Sequence, residues 1–222
     1  QREDVAALRN LPGVASVAPI NSLPLLNSSW TGSVSLKSGA EVADKTGTRT
    51  AYYFSDEQVF PTLGLKLVAG RAFNAGDVQH QGIRDNPPRP VAIITKALAD
   101  KLYPKGDAVG KVMYSDGSSA PTTIVGVVAR MQIPSSGSFG SDFAWNSTLI
   151  PTRLDANFAR YAVRTRPGQL DAAMRAVTCG CGRLERRRPG APAGAVDLAR
   201  RADERRRRHA HHRHGVLPVV GM

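Results

Sequence analysis

The sequence predicts an α+β fold made of short helices and many short strands. Alternating or continuous apolar segments recur along the chain, which is typical of half-buried and fully buried strands. Short segments with helical apolar spacing lie between them. The composition, with 41% hydrophobic and 22% charged residues, is that of an ordinary globular protein, and 222 residues are enough to bury a core.

No stretch approaches 18 consecutive apolar residues, so the sequence predicts no membrane-spanning helix. The N-terminal residues Gln1-Arg2-Glu3-Asp4 have neither a methionine nor the apolar segment of a signal peptide. We therefore expect the chain to begin partway into a longer protein.

The positive charge is concentrated in the last 45 residues. The whole chain carries 30 Lys and Arg against 18 Asp and Glu, a formal net charge of +12. Residues 178–222 hold 11 Arg and four acidic residues, a net +7, whereas residues 1–177 hold 19 basic and 14 acidic residues, a net +5. The sequence thus divides into a body, residues 1–177, and an Arg/His-rich tail, residues 178–222. The tail has too few large apolar residues to offset the entropy of ordering it.

Three interpretations of the tail are open. The four arginines at 205–208 would suit a basic arm that binds nucleic acid or anionic lipid. Cys179 and Cys181 with the four tail histidines would form a metal site, although their spacing is not that of a zinc finger. We favour the third, a reading-frame slip in GC-rich DNA, because Arg, Gly, Ala, Pro and His have GC-rich codons. The tail is therefore predicted to be disordered or frame-shifted.

Without the tail, the body gives little support to nucleic-acid binding. Its positive excess is modest and scattered, and it has no stripe of aromatic and basic residues. Both cysteines lie in the tail, so cysteine usage does not indicate a redox compartment. We infer function from residues 1–177 and expect no nucleic-acid partner.

The first third of the body predicts one helix followed by extended segments. A helix is expected over residues 4–11, because apolar residues share one side and Pro12-Gly13 follows. Residues 14–26 contain two prolines and suit an edge or bent strand. The Ser/Gly/Thr-rich stretch 27–50 has turn signals typical of hairpins.

The next elements alternate between strand and helix. A strand is predicted at residues 50–54. Ser55 and Gln58 then have the three-residue spacing of a capping box, so a short helix should follow and end at Gly64. Residues 65–68 predict another strand.

The remainder of the body continues in the same manner. The polar stretch 74–90, with two adjacent prolines, predicts a loop. Residues 90–95 form a continuous apolar run, as in a buried strand, and Leu98 and Leu102 predict a helix over 96–103. Further predictions are strands at 109–114, 122–131, 149–150 and 161–165, a Ser/Gly-rich loop at 135–141, and a helix from about 170 to 177.

The order of elements suggests that both ends of the body are incomplete. The first helix–strand pair has no strand before it, and the last strand–helix pair has none after it. Each resembles a βαβ unit that lacks one strand.

Motifs for catalysis or cofactor binding are weak in the body. Residues 106–111, GDAVGK, resemble a P-loop, but the glycine spacing is too short and Val112 stands where Ser or Thr should bind magnesium. His80 is the body's single histidine and lies in a polar stretch, so we interpret it as a solvated residue. Asp56 and Glu57 are explained by a helix N-terminus alone.

Two further patterns carry little weight. Asn27 and Asn146 each begin a glycosylation pattern, which is common by chance. The body therefore predicts a binding or mechanical module with no catalytic, cofactor-binding or metal-binding residues.

Four motifs, in order, resemble the family of MacB-like periplasmic core domains. They are LPGV at 11–14 with Val17 and Pro19; YFS at 53–55, VFPTLGLKL at 59–67 and GRAF at 70–73 with Asp77; VAIIT at 91–95 with Leu98-Ala99, Leu102-Tyr103-Pro104, Asp107 and VGK at 109–111; and TIVGVV at 123–128. Arg130 departs from the acidic residue that the family usually carries nearby. In this frame Gly64 and Gly70 would make tight turns, Arg71 would pair across the subdomain and Gly126 would mark a bulge.

The resemblance implies an α+β fold with a porter-like βαβ subdomain, of split ferredoxin-like type, and a second, smaller β-rich subdomain. It implies an extracytoplasmic domain of an ABC-transporter permease subunit, non-catalytic itself, at the inner membrane with this domain in the periplasm. Cytoplasmic ATP hydrolysis would be coupled to periplasmic conformational change for export of a substrate. The implied partners are an ABC ATPase subunit or domain and a periplasmic adaptor, with a dimer in the full transporter and no cofactor.

Two alternatives stay open. One is a soluble periplasmic binding or adaptor module without transport coupling. The other is a nucleic-acid-binding protein that uses the Arg-rich tail, whose binding would fall steeply with salt.

Overall fold

A computed structural model describes residues 2–26, 30–39, 47–82, 85, 87–116, 118–134, 143–155, 159–185 and 216–221. Within these residues the chain forms four α-helices and eleven strands. The helices are α1 (Arg2–Arg9), α2 (Val59–Leu63), α3 (Lys96–Leu102) and α4 (Leu170–Glu185). The strands are β1 (Val14–Pro19), β2 (Trp30–Ser35), β3 (Thr48–Ser55), β4 (Leu67–Gly70), β5 (Gln79–Gly82), β6 (Val91–Thr95), β7 (Val112–Ser115), β8 (Thr122–Val128), β9 (Ser147–Asp155), β10 (Ala159–Thr165) and β11 (Val216–Gly221).

Six of these strands close into a ring. Their order is β3-β2-β7-β8-β6-β9, and β9 also pairs in parallel with β3, which completes the circuit. β4 pairs with β8, and β5 pairs in parallel with the far end of β9. Together these eight strands are the β-rich subdomain.

The apolar run of β6 follows from its place in this ring. β6 lies between β8 and β9, so both of its edges are paired, and its two faces pack into different apolar clusters. Ile93 and Ile94 are fully buried and belong to two different apolar clusters. Tyr53 and Phe54 on β3 divide between the same two clusters. One cluster includes the buried side chains of α3, and the other reaches Ala18 and Ala162 on β1 and β10.

A second sheet contains the strands from the two ends of the chain. β10 pairs antiparallel with β1 on one edge and with β11 on the other. α1 precedes β1 and α4 follows β10. Their buried apolar side chains form a third cluster with those of the two strands: Val5, Leu8, Val14, Val17, Tyr161, Val163, Ala173 and Val177. This helix-covered sheet is the porter-like βαβ subdomain.

The α+β class and the two subdomains are confirmed. Their relative sizes differ from the expectation, since the β-rich subdomain has eight strands and the βαβ subdomain three in the part of the chain that the structure describes. A long central insertion between β1 and β10 therefore makes up most of the domain.

The stretch 74–90 is not the plain loop that its composition predicts. Ala75–Asp77 form one turn of 3-10 helix, and Gln79–Gly82 form β5 in parallel register with β9. β5 is the last strand of its sheet and carries polar side chains, with His80 exposed. An edge strand of this kind lacks the apolar alternation by which strands are recognised.

Ser55 does not cap α2, contrary to the predicted capping box. Its hydroxyl donates instead to the Pro19 carbonyl oxygen at 2.6 Å. Asp56 satisfies the start of the helix, because its Oδ1 accepts a hydrogen bond from the Gln58 N–H at 3.0 Å. The predicted end is confirmed: Gly64 has a φ of 67°, and its N–H donates to the Phe60 carbonyl oxygen at 2.9 Å.

The tail differs from a wholly disordered segment where the structure describes it. α4 continues to Glu185, and Val216–Gly221 form β11. Residues 186–215 lie outside the described residues, as do Asn27 and the predicted loop 135–141. The reading-frame slip stays a prediction.

Candidate functional site

The most extensive polar constellation is the boundary between the two subdomains. Asn21 follows the β1 segment and is 4% exposed. Its Nδ2 donates to the Tyr52 carbonyl oxygen at 3.1 Å, and its Oδ1 accepts a hydrogen bond from the Phe54 N–H at 2.9 Å. The Asn21 N–H also donates to the Phe54 carbonyl oxygen at 3.3 Å. One buried side chain thus fastens the βαβ subdomain to the backbone of β3.

Further hydrogen bonds cross the boundary between the subdomains on either side of Asn21. Arg160 Nη1 donates to the Asn21 carbonyl oxygen at 2.6 Å. Thr62 Oγ1 donates to Ser16 Oγ at 3.1 Å, and Arg164 Nε donates to the Thr62 carbonyl oxygen at 2.9 Å. The interdomain seam is defined by nine residues: Ser16, Pro19, Asn21, Arg160 and Arg164 on one side, and Tyr52, Phe54, Ser55 and Thr62 on the other.

At one end of the seam, Gly64 leaves room for the side chain of Arg164 to lie close to the backbone. A Cβ atom at Gly64 would lie 2.6 Å from Arg164 Nη2, and the residue has a positive φ. The predicted turn role of Gly64 is therefore confirmed, and it also leaves room for the arginine. Ala18, Phe60 and Ala162, which come from the two sides of the seam, belong to one buried apolar cluster. The seam therefore combines hydrogen bonds with a packed apolar layer.

Arg71 forms a local pair and does not reach across the subdomain as the resemblance implied. Its guanidinium contacts Asp77 through two nitrogens, at 2.6 and 2.9 Å. Asn74 and Asp77 exchange hydrogen bonds as a capping box around the 3-10 turn. The hydrogen bonds from Arg71 hold the pKa of Asp77 below its ordinary value. This arrangement rigidifies a surface loop.

Two glycines let the chain pack closely against β8 at the start of that loop. Gly70 has a φ of 73°, and a Cβ atom there would collide with the Val125 carbonyl oxygen. A Cβ at Gly126 would collide with the Arg71 carbonyl oxygen. The pairing of β8 is irregular beside Gly126, opposite Ile93, so the predicted bulge is confirmed.

A buried carboxylate joins β3 to β9. Asp56 is fully buried, and its Oδ2 accepts hydrogen bonds from Arg153 Nη2 at 2.8 Å and Nε at 3.2 Å. Burial raises the pKa of Asp56, and the Arg153 hydrogen bonds oppose that shift. The sequence does not reveal this pair, because its members are 97 positions apart and Arg153 is one of several polar residues in β9.

The P-loop-like segment is a pair of turns between α3 and β7. Gly106 and Gly110 have φ values of 86° and 80°, and a Cβ at either would meet open space. The Gly110 N–H donates to the Ile124 carbonyl oxygen at 2.8 Å, so it is used by the sheet. Lys111 is exposed immediately before β7. The geometry is that of a strand connection and does not form a phosphate cradle.

The structure also gives the positions of His80 and Asn146, the other residues singled out in the sequence. His80 lies on β5 in register with Arg153. Asn146 is 1% exposed and its Nδ2 donates to the Arg49 carbonyl oxygen at 3.0 Å, so its glycosylation pattern is inaccessible. Among the described residues, no group of three His, Cys, Asp or Glu side chains could hold a metal ion. No described helix is long and apolar enough to cross a bilayer.

Comparisons with known proteins agree with this architecture. The family model described as the MacB-like periplasmic core domain matches residues 1–178. A search of the curated proteins finds no significant match.

Three solved structures resemble the chain. The extracellular domain of the noncanonic ABC-type transporter YknZ from Gram-positive bacteria has a TM-score of 0.51 and 17% identity, over 80% of this chain and 79% of that one. The periplasmic region of MacB from Actinobacillus actinomycetemcomitans has a TM-score of 0.44 and 20% identity, over 68% of this chain and 54% of that one. A permease-protein domain from Porphyromonas gingivalis has a TM-score of 0.44 and 19% identity, over 97% and 79%. The YknZ likeness supports the fold alone.

Domains of this kind are extracytoplasmic parts of ABC-type transporter permeases, which work with ATPase subunits and are generally not catalytic. The four sequence motifs, the two-subdomain fold and a family model that matches residues 1–178 of 222 all agree. The chain belongs to the family of MacB-like periplasmic core domains.

Proposed function

We propose that the chain couples cytoplasmic ATP hydrolysis to conformational change on the periplasmic side, for export of a substrate by an ABC-type transporter. In this proposal the domain is non-catalytic and belongs to a permease subunit at the inner membrane. Its partners are the ABC ATPase and a periplasmic adaptor, and the permease works as a dimer. Residues 1–177 are the working body.

The interdomain seam is the observation that supports a mechanical role. Displacement is transmitted only if the parts of a domain move together, and close-packed interiors transmit strain because they compress little. The Asn21 side chain uses its donor and its acceptor on the β3 backbone, and both lie in a buried site. Sliding of the subdomains would leave these groups unpaired, at a cost of about 1–3 kcal/mol for each buried group.

The test is to uncouple transport from ATP hydrolysis at the seam. We expect Asn21→Ala in the permease to leave ATP hydrolysis within about twofold of wild type and to lower substrate export at least tenfold. Ser16→Ala removes only a peripheral seam bond and should lower export less. Asn10→Ala, an identical change at an exposed position after α1, serves as the control.

The same variants distinguish transport coupling from the alternative of a soluble binding module. If Asn21→Ala and Asn10→Ala both export normally while the Asn21 variant folds, the seam does not transmit movement and the coupling proposal fails. A soluble binding module would keep its ligand affinity in both variants and would show no dependence on an ATPase.

A further inference from the structure

One end of the strand ring brings four separate segments into a row. β6 and β8 run parallel and end side by side, with Thr95 in register with Val128. Leu67, at the start of β4, lies opposite Val128 on the other edge of β8. The Thr95 hydroxyl donates to the Trp145 carbonyl oxygen at 2.6 Å, just before β9 begins. The start of β4, the ends of β8 and β6 and the residues before β9 are therefore neighbours.

The residues that follow β8 complete this row. The Ala129 N–H donates to the Lys66 carbonyl oxygen at 2.8 Å, which brings Lys66 next to the Ala129–Arg130 segment. The Arg130 guanidinium carbon lies 5.9 Å from the centre of the Trp145 ring, within the range of a cation–π contact. We define the rim patch as the exposed or partly exposed side chains at this end of the ring: Lys66, Leu67, Val68, Arg130 and Trp145.

The rim patch exposes apolar side chains that the core does not use. Val68 is 52% exposed and Trp145 is 44% exposed. A strand that covers a core buries alternate residues, whereas all four residues of β4 are exposed. Contiguous exposed apolar side chains are typical of interaction sites. β4 therefore presents Leu67 and Val68 to whatever binds outside the domain.

The rim patch also carries two positive charges. Within the described part of the chain, neither Lys66 nor Arg130 forms an ion pair. The carboxylate of Asp100 on α3 is already paired with Lys96 at 2.8 Å. Charged groups at an interface are arranged to meet groups of the opposite sign, so this patch complements carboxylates. Trp and Arg are also the residues that most often dominate the binding energy of protein–protein interfaces.

Two other occupants fit the geometry less well. A strand added to β4 needs a regular edge, but the register with β8 shifts between Leu67 and Ala69, and such a bulge turns an edge away from further pairing. A membrane surface takes up apolar groups that reach about 5–10 Å into it. Leu67 and Trp145 are each more than half buried, so they lie at the protein surface and do not project from it.

We propose that the rim patch is a docking surface for a segment of a partner protein that places acidic side chains beside apolar ones. The apolar side chains of the segment cover Leu67, Val68 and Trp145, and its carboxylates meet Lys66 and Arg130. No residue of the rim patch belongs to the interdomain seam, so this inference is independent of the transport proposal.

Titration of the full chain with two peptides tests the surface. The probe is a short synthetic peptide in which Glu and Leu alternate, and the control peptide has Lys in place of every Glu. NMR shifts of the backbone amides and of the Trp145 indole N–H report where each peptide binds. At low salt and millimolar concentration we expect the Glu/Leu peptide to shift the signals of Leu67, Val68 and Trp145 in a saturable manner. The Lys/Leu peptide should leave them unchanged.

Charge reversal distinguishes the rim patch from the rest of the surface. Lys66→Glu with Arg130→Glu should weaken binding of the Glu/Leu peptide at least about tenfold and should allow the Lys/Leu peptide to bind. Lys105→Glu with Lys111→Glu makes the same number of charge reversals at exposed positions between α3 and β7 and should match wild type. Signals outside the patch that agree with those of wild type show that each variant is folded.

Three outcomes would overturn the proposal. The first is the absence of a saturable shift at the rim patch with millimolar Glu/Leu peptide, or equal binding of the two peptides to the wild-type chain, a comparison that needs no substitution. The second is equal weakening in the two double variants. The third is a shift of the rim-patch signals by vesicles of anionic phosphatidylglycerol and not by the Glu/Leu peptide, which would assign the patch to a lipid surface.

Discussion

The side-chain oxygen of Asn21 lies 2.9 Å from the backbone nitrogen of Phe54, although 33 positions separate them. The same side chain donates to the carbonyl oxygen of Tyr52, so a single amide pairs with β3 as a neighbouring strand would. Asn21 helps to set the mutual position of the two subdomains, because it follows β1 and its partners belong to the β-rich ring.

We expect Asn21→Ala to lower the free energy of unfolding by about 2–4 kcal/mol, because it leaves a buried N–H and a buried C=O without partners. Urea denaturation followed by circular dichroism measures the change. Asn10→Ala should stay within about 0.5 kcal/mol of wild type, as surface substitutions usually do. Equal losses of stability in the two variants would show that the buried hydrogen bonds of Asn21 do not stabilise the fold.

Gly70→Ala should destabilise the domain much more than Gly110→Ala. Both residues have positive φ, but only at Gly70 would the new methyl group collide with a backbone carbonyl oxygen. We expect about 1 kcal/mol for Gly110→Ala, from the left-handed conformation alone, and at least about 3 kcal/mol for Gly70→Ala. Thermal unfolding of the two variants side by side provides the comparison, and similar melting temperatures would contradict it.

Arg153→Met should destabilise the domain by about 2–3 kcal/mol at neutral pH, because it leaves the buried Asp56 carboxylate without its partner. The second substitution, Asp56→Asn, should recover at least half of that loss in the double variant. Denaturation of the two single variants and the double variant at pH 7 measures the coupling. A double variant no more stable than Arg153→Met would exclude a charge-based explanation.

The same pair predicts a pH dependence. Burial raises the pKa of Asp56 above its ordinary value of 3.8, so the folded chain binds this proton more tightly than the unfolded chain. Stability from this group is then lost as the pH rises from about 4 through the folded pKa. Removing Arg153 raises that pKa further. The destabilisation by Arg153→Met should therefore shrink as the pH is lowered from 7 towards 4, and a loss that is independent of pH would contradict this account.

Deleting residues 178–222 should leave the body folded. The cluster residues whose side chains the structure describes all lie at or before Val177, and the deletion removes one edge strand and the end of one helix. We expect the melting temperature to fall by no more than about 5 °C, on the scale of about 2–4 °C per kcal/mol for a protein of this size. A fall of 15 °C would mean that the tail belongs to the core.

The sequence predicts those elements that depend on residues close to one another along the chain. The apolar run of β6, the Leu98 and Leu102 spacing of α3 and the stop at Gly64 each depend on neighbouring residues. The sequence does not predict β5, because an edge strand needs no apolar face. The predicted cap at Ser55 is wrong, because the hydroxyl donates instead to the Pro19 carbonyl oxygen, 36 positions away.

The seam itself was beyond prediction from local pattern. In the sequence Asn21 is a single polar residue in a segment with two prolines, and no neighbouring residue indicates that it pairs with Phe54. The resemblance identifies Gly70, Arg71 and Asp77, but it does not indicate that Gly70 packs against β8 or that Arg71 pairs with Asp77 within a surface loop. Pairings over tens of residues depend on the closed ring, which no single segment specifies.

Substrate transport with the two subdomains locked together shows whether they move as one body. Ser16 Oγ and Thr62 Oγ1 are 3.1 Å apart across the seam, so Ser16→Cys with Thr62→Cys places two thiols within reach of a disulfide, in a chain whose Cys179 and Cys181 are changed to Ser. If the subdomains move as one body, the oxidised permease exports substrate as fast as the reduced one and as either single-cysteine control. Loss of export on oxidation, with recovery on reduction, would show that the subdomains must move against each other and would contradict the account.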